Sequence, residues 1–411
     1  MDATRLQVIV RIVVVGLLAF PPCASANAGT PLMWAGMLHL VVGNALIGLL
    51  EGGLLARLCQ IPPGKAIGTM IAANYFSAWV GGLFVLGGIV PVLPMDLNNG
   101  WVWFWVMVVF TFFLTSVLEW PFIGWTLRGT KEGSNTAAEV SLREGAQPAS
   151  CSKPDLPTRR PGLMTPVMKR SLRVSLKLQR VSYLLLFGWY FMASGTSLYT
   201  KMNIVGPDEL SLPESVLVYY IDREDGDVYQ RNLVRGGERK IFELHSNHHN
   251  DRLFVRPNPI DTNRWDLMAR LESDDHRKPR FVEVRTNMPV VAAPDWRSIS
   301  IHPQYDGTWF SFGQAARLGI ATNSPWRFHA GFWPVEGLRG KDPVSGKEIR
   351  FAYETPFGAW TVRNAVLLPS DKVLFQLGND QICGFSPVDR RVALLWRGRG
   401  PVPVIEKDAR E

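Results

Sequence analysis

The sequence predicts a membrane α-helical bundle of four spans followed by an all-β extracytoplasmic domain with propeller-like repeats; a β-sandwich is the alternative for the second part. Three observations carry this expectation. Long apolar runs fill the first half of the 411 residues and none follows. A Lys/Arg-rich segment stands directly before the last of those runs. After Lys201 the pattern changes to short strand-like segments punctuated by Asp-Gly and Gly-Gly.

Residues 1–28 read as a secretory signal. Arg5 and Arg11 precede a short apolar core over 12–20, Pro21 and Pro22 break it, and Ala24, Ser25 and Ala26 offer small residues for cleavage. That core is too short to span, since a bilayer needs roughly 20 apolar residues. Residues 29–127 hold three spans, at 33–55, 66–90 and 101–120, the last closed by Pro121. Residues 128–181 form a basic cytoplasmic linker whose end, 168–181, places Lys169, Arg173, Lys177 and Arg180 at helical spacing. Residues 182–200 make the fourth span, and 201–411 the β domain.

Charge fixes the expected orientation. The linker carries eleven cations, from Arg128 to Arg180, against the acids Glu132, Glu139, Glu144 and Asp155. Such an excess stays on the cytoplasmic side. The loop 91–100 has no Lys or Arg, and the short loop 56–65 carries Arg57 and Lys65, so every loop agrees. From Lys201 onward there are 29 Lys and Arg against 28 Asp and Glu, which leaves seven of the eight net positive charges to the membrane half. That distribution argues for membrane lipids as partners and against nucleic acid. The four cysteines form no disulfide framework, and Cys383 is alone in the β domain.

Several polar residues fall inside the spans. Asn44 and Glu51 share a face of the first, Asn74 and Ser77 lie in the second, and Thr115 and Glu119 continue a stripe from Thr111 in the third. Ala73, Ser77 and Gly81 recur at every fourth position, which permits close helix approach. Intramembrane carboxylates point either to an ion or proton site on Glu51 and Glu119, oriented by Asn74, or to polar glue between helices.

The segments Glu51-Gly52, Asn-Tyr-Phe-Ser at 74–77 with Gly81-Gly82, and Glu-Trp-Pro-Phe at 119–122, together with 27–34, resemble an uncharacterised group of bacterial multi-span membrane proteins with a cleaved signal peptide. The likeness covers residues 27–124. It implies a bacterial plasma-membrane location and brings no activity.

In the second half, strands at 216–221, 228–233 and 240–244 are separated by Asp225-Gly226 and Gly236-Gly237. The same grammar returns at 372–377, 381–385 and 391–396. These units resemble β-propeller blade repeats. Further strands are expected at 253–256, 266–271, 281–285, 308–312 and 349–353. His245, His248 and Asp251 are the one metal candidate, set against a plain polar loop. Trp296, Trp309, Trp326, Trp333 and Trp360 are either a binding surface or core. No catalytic residue and no cofactor is expected, because no nucleophile, zinc-hydrolase or phosphate-loop motif occurs. The expected role is therefore non-enzymatic: the β domain binds a protein partner or ligand while the bundle anchors it or relays the event. The alternative is a small transporter or ion-coupled protein using Glu51, Asn74 and Glu119.

Overall fold

A computed structural model describes residues 38–128, 166–193, 202–261, 264–272, 279–289, 324–330, 337–355 and 358–405. The expected signal peptide, most of the linker, the end of the fourth span, the strand at 308–312, and Trp296, Trp309 and Trp333 lie outside the described residues. The chain forms two compact units, one of helices and one dominated by strands.

Four long helices build the first unit: α1 (Asn44–Cys59), α2 (Pro63–Phe84), α3 (Gly100–Arg128) and α4 (Pro166–Ala193). A π-turn at His39–Gly43 leads into α1 and another at Val85–Ile89 continues α2. With these extensions, His39–Cys59, Pro63–Ile89 and Gly100–Leu127 are each long and apolar enough to cross a membrane. Those are three of the four expected spans. The fourth is not among them: α4 merges the basic segment and the start of the apolar run into one helix whose first half carries Lys169, Arg170, Arg173, Lys177 and Arg180.

Local chemistry sets the ends and crossings. α1 stops where Gln60 turns left-handed (φ 53°) and the Ile61 N–H reaches back to the Ala56 carbonyl at 3.1 Å. Pro63 then opens α2, its missing N–H falling where a helix has no acceptor for it. The two helices pack so closely that a Cβ on Gly52 would lie 2.4 Å from Ile67 Cα, and one on Gly48 2.6 Å from Ile71 Cα. Only glycine fits there, the small-residue contact of membrane helices. Pro121 does not close α3, as expected from the sequence, but sits inside it. A proline removes one backbone bond. Nearby, Ser175 of α4 donates to the Ser116 carbonyl of α3 at 3.1 Å.

The bundle is polar inside and apolar outside. Leu83 is 72% exposed and Leu184 73%, and Phe84, Val102, Val109 and Phe113 also face outward, while Glu51, Asn74, Ser77, Glu119 and Gln179 are buried. That distribution is the reverse of the one water-facing surfaces favour and is consistent with an apolar surrounding.

The second unit contains sixteen strands among the described residues: β1 (Asn203–Ile204), β2 (Val216–Asp222), β3 (Val228–Asn232), β4 (Gly236–Phe242), β5 (Arg252–Pro257), β6 (Arg264–Leu271), β7 (Arg280–Pro289), β8 (Arg327–Ala330), β9 (Leu338–Lys341), β10 (Glu348–Phe351), β11 (Tyr353–Thr355), β12 (Gly358–Trp360), β13 (Val362–Leu368), β14 (Lys372–Leu377), β15 (Gln381–Ser386) and β16 (Arg391–Ile405). Nearly all pair antiparallel. The largest sheet runs β13-β14-β15-β16-β2-β3-β4, with β1 added parallel to β16. β5-β6-β7, β8-β9-β10 and β11-β12 form smaller sheets.

Both expected repeats form meanders, but they share one sheet. The first part of β16, Arg391–Arg397, pairs with β15, and the part from Gly398 to Ile405 pairs with β2, that second pairing being interrupted by a bulge between Arg399 and Val402. Gly236 and Gly237 open β4 rather than making the turn before it. That turn is set by Asn232, whose Oδ1 accepts the Val234 and Arg235 amides at 2.9 Å each.

Two-residue alternation places Tyr219 and Ile221 in one core with β5–β7, while Val216, Val218 and Tyr220 join a second on the opposite face with Leu374 and Ile382. A third core packs Phe375, Cys383 and Phe385 against Trp326, Leu338 and Phe351. β14 and β15 are thus covered on both faces, which explains their unbroken apolar runs. The segment Pro94–Trp103 belongs to this unit: Leu97 is buried in its third core and donates to Gln381 Oε1 at 2.8 Å, and Arg397 binds Asp96 at 3.1 Å.

Candidate cation site in the helical bundle

Each of the four helices gives two residues, or one carboxylate, to a single buried polar cluster. Glu51 comes from α1 and Glu119 from α3; their exposures are 1% and 0%. α2 offers Asn74 and Ser77, one turn apart. Asn74 Nδ2 donates to Glu51 Oε2 at 2.6 Å, and Ser77 Oγ donates to Glu119 Oε1 at 2.8 Å. α4 repeats the arrangement from the other side. The Ser182 hydroxyl donates to Glu51 Oε1, and Gln179 Nε2 donates to Glu119 Oε2 at 2.5 Å. Each carboxylate therefore accepts one bond from α2 and one from α4.

The donors are themselves held. Asn74 Nδ2 also reaches the Met70 carbonyl at 3.0 Å, and Ser77 Oγ the Asn74 carbonyl at 3.1 Å. Apolar packing of Leu55, Met70, Ile123, Leu127 and Leu178 lies alongside in the same bundle. Every donor named here is neutral. A carboxylate has about four lone-pair positions, so two bonds leave acceptor capacity on each group.

The sequence-predicted residues divide cleanly. Glu51, Asn74, Ser77 and Glu119 are brought together. Asn44 is buried elsewhere and bonds the Leu40 carbonyl of its own helical turn at 3.2 Å. Thr115 meets the Tyr183 hydroxyl at 3.4 Å. The contribution of α4 was missed. Its signal was Ser171, Ser175, Gln179 and Ser182, which fall with Leu178 within about a 100° arc at about 100° per residue. All five are buried. The cations Lys169, Arg170, Arg173, Lys177 and Arg180 occupy the opposite arc and are exposed. The basic pattern is conspicuous in the sequence, and the small polar stripe behind it sits among leucines and valines.

The histidine loop has a different occupation. Asp251 accepts from Ser246 Oγ at 2.6 Å, from the His248 amide at 3.3 Å and from the Glu272 amide at 2.7 Å. His245 sits left-handed (φ 52°), and its amide is held by Asp227 rather than by Asp251. Among the described residues no three His, Cys, Asp or Glu side chains are grouped to hold a metal ion. Trp326 and Trp360 both pack into or against the third core of the β unit, Trp360 stacked on Tyr353 at 3.9 Å. No protein-family model matches the chain, and no curated protein matches it either.

Proposed function

We propose that the protein is an ion-coupled membrane protein whose bundle binds a monovalent cation or a proton between Glu51 and Glu119, and whose β unit is an extracytoplasmic ligand-binding module. The observation that carries this reading is the four-point clamp on two buried carboxylates by neutral donors alone. Holding helices together does not require carboxylates; Ser, Asn and Gln pairs do so at less desolvation cost. Ionisable groups kept in a membrane interior mark ion or proton paths far more often than they serve as glue.

The orientation rests on the Lys/Arg distribution. It is supported by the grouping of Pro94–Trp103, from a loop without Lys or Arg, with the β unit. The resemblance of residues 27–124 to bacterial multi-span membrane proteins supports a bacterial plasma-membrane location. A propeller-like architecture draws support from the small antiparallel meanders; β16, which serves two of them, argues against independent blades.

The test is thermal unfolding of the full chain in detergent, titrated with Na⁺, with K⁺ and with acid at constant ionic strength. The wild type is expected to be stabilised saturably by one of them. Glu51→Gln with Glu119→Gln is expected to remove that response and keep the fold. An identical response in both proteins sinks the reading.

A further inference from the structure

Each serine of the bundle cluster has one hydrogen and two acceptors for it. Ser77 Oγ stands 2.8 Å from Glu119 Oε1 and 3.1 Å from the Asn74 carbonyl of its own helix. Ser182 Oγ meets Glu51 Oε1 and stands 3.3 Å from the Leu178 carbonyl of its own helix. A hydroxyl donates once and also accepts. Each serine can therefore give its hydrogen to the carboxylate, or turn it to the carbonyl and accept one from a protonated carboxyl.

The two amides work in one direction only. Asn74 Nδ2 meets Glu51 Oε2 at 2.6 Å and Gln179 Nε2 meets Glu119 Oε2 at 2.5 Å, and an amide nitrogen donates without accepting. On each carboxyl, one oxygen is thus held by a fixed donor. The other, Oε1 in both cases, faces a reversible one. A proton on Oε1 needs no side chain to move, only a hydroxyl to turn.

An alkali ion is served less well. It needs several oxygens to replace its hydration shell, and membrane proteins supply them largely from free backbone carbonyls, often in unwound helix. Glu51, Asn74, Ser77, Glu119, Gln179 and Ser182 all lie inside continuous α-helix, so their own carbonyls are spent on helical bonds. Both amides turn nitrogen rather than oxygen towards the carboxylates, and all four carboxylate oxygens already receive a hydrogen. The titratable groups facing Glu119 are Glu51 and the Tyr183 phenol, the latter 3.4 Å from Thr115 Oγ1. No cationic side chain meets either carboxylate among the described residues.

Resting on the ion site proposed above, we propose that the bundle binds a proton rather than an alkali ion, at Oε1 of Glu119 or Glu51, with Ser77 and Ser182 as positioning residues. A hydronium ion gives up the proton and leaves as water. The new O–H of Glu119 donates to Ser77 Oγ, while the Ser77 hydrogen turns from Oε1 to the Asn74 carbonyl. Ser182 serves Glu51 in the same way, turning to the Leu178 carbonyl. Release reverses these steps.

The experiment follows the infrared C=O band of protonated carboxyls in the full chain in detergent as pH is lowered. Na⁺, K⁺ or N-methylglucamine is the sole added cation, at constant ionic strength. A band that Glu119→Gln or Glu51→Gln removes is expected, with a midpoint that changes by less than about twofold in proton affinity among the three cations. Ser77→Ala is expected to shift the Glu119 band to higher frequency, because the acid loses its acceptor, and Ser77→Thr to restore it. Ser182→Ala makes the same test at Glu51 if Ser77→Ala fails to fold. A midpoint displaced towards acid by Na⁺ or K⁺ overturns the proton and keeps the ion site. A band whose frequency ignores both serine variants overturns their role. No band removed by either glutamine variant, together with no response to Na⁺ or K⁺, overturns the ion site itself.

Discussion

Two buried carboxylates, one in each unit, are satisfied in opposite ways. In the β unit, Asp227 receives a cation, Lys240 Nζ at 2.5 Å, together with the Leu244 and His245 amides at 2.8 and 2.9 Å. Burial raises the Asp227 carboxyl, but Lys240 and the two amides outweigh it and bring it down to about 2 from 3.8. In the bundle, Glu119 has Ser77 and Gln179, and no ion pair to it occurs among the described residues. Asp227 is a finished structural element that locks a strand to a turn. Glu119 and Glu51 have no cationic side chain as a partner among the described residues. The difference teaches where function is to be sought: a carboxylate paired with a cation by the fold holds shape, and one without such a partner is the place to test for a bound ion.

The contrast can be broken most forcefully at the helix crossing. Gly52→Leu would force atoms into the Ile67 backbone and is expected to cost the bundle about 3 kcal/mol or more. Calorimetry on the detergent-solubilised chain should show the bundle transition fall and the β transition stay. If both fall together, the two units are not the separate solvation environments argued here.

Asp227→Asn comes next, with an expected loss of about 2 kcal/mol at neutral pH, the scale of hydrogen bonds to charged groups. The folded carboxyl lies below its unfolded value, so its contribution is complete above about pH 4 and is lost as pH falls towards 2. Stability curves of wild type and variant should therefore converge in acid. Parallel curves would show that the Lys240 pair contributes nothing.

Glu119→Gln is expected to be milder, within about 1 kcal/mol, because both its partners are neutral amide and hydroxyl groups. A loss as large as that of Asp227→Asn would erase the distinction drawn between the two carboxylates. The smallest effect is expected at Cys383. Burial raises its thiol well above the ordinary range, and it is a free cysteine inside the third core of the β unit. Maleimide should leave it unlabelled until the β unit unfolds; rapid labelling at Cys383 itself, located by peptide mapping of the native chain, would mean that core is open.

Much of this contrast was legible in the sequence. Apolar length gave three spans, and strand grammar gave β2, β3, β14 and β15 almost to the residue. Glu51, Asn74, Ser77 and Glu119 stood out because polar groups in apolar runs are few. What was hidden has a physical cause in each case. Ser182 and Gln179 lie beside a basic stripe and read as ordinary surface residues. Pro121 looked like a helix end because a proline removes a backbone bond, whereas α3 continues through it. The extension of β16 across two meanders, with its partner changing from β15 to β2 at Arg397–Gly398, is a long-range pairing that local propensity does not encode.

The central claim is that the bundle carboxylates handle a cation. The most direct measurement is dissipation of an imposed pH or Na⁺ gradient in liposomes carrying the full chain, wild type against Glu51→Gln and Glu119→Gln. The account predicts flux above protein-free vesicles in the wild type and its loss in both variants. Equal rates in wild type and variants would contradict it.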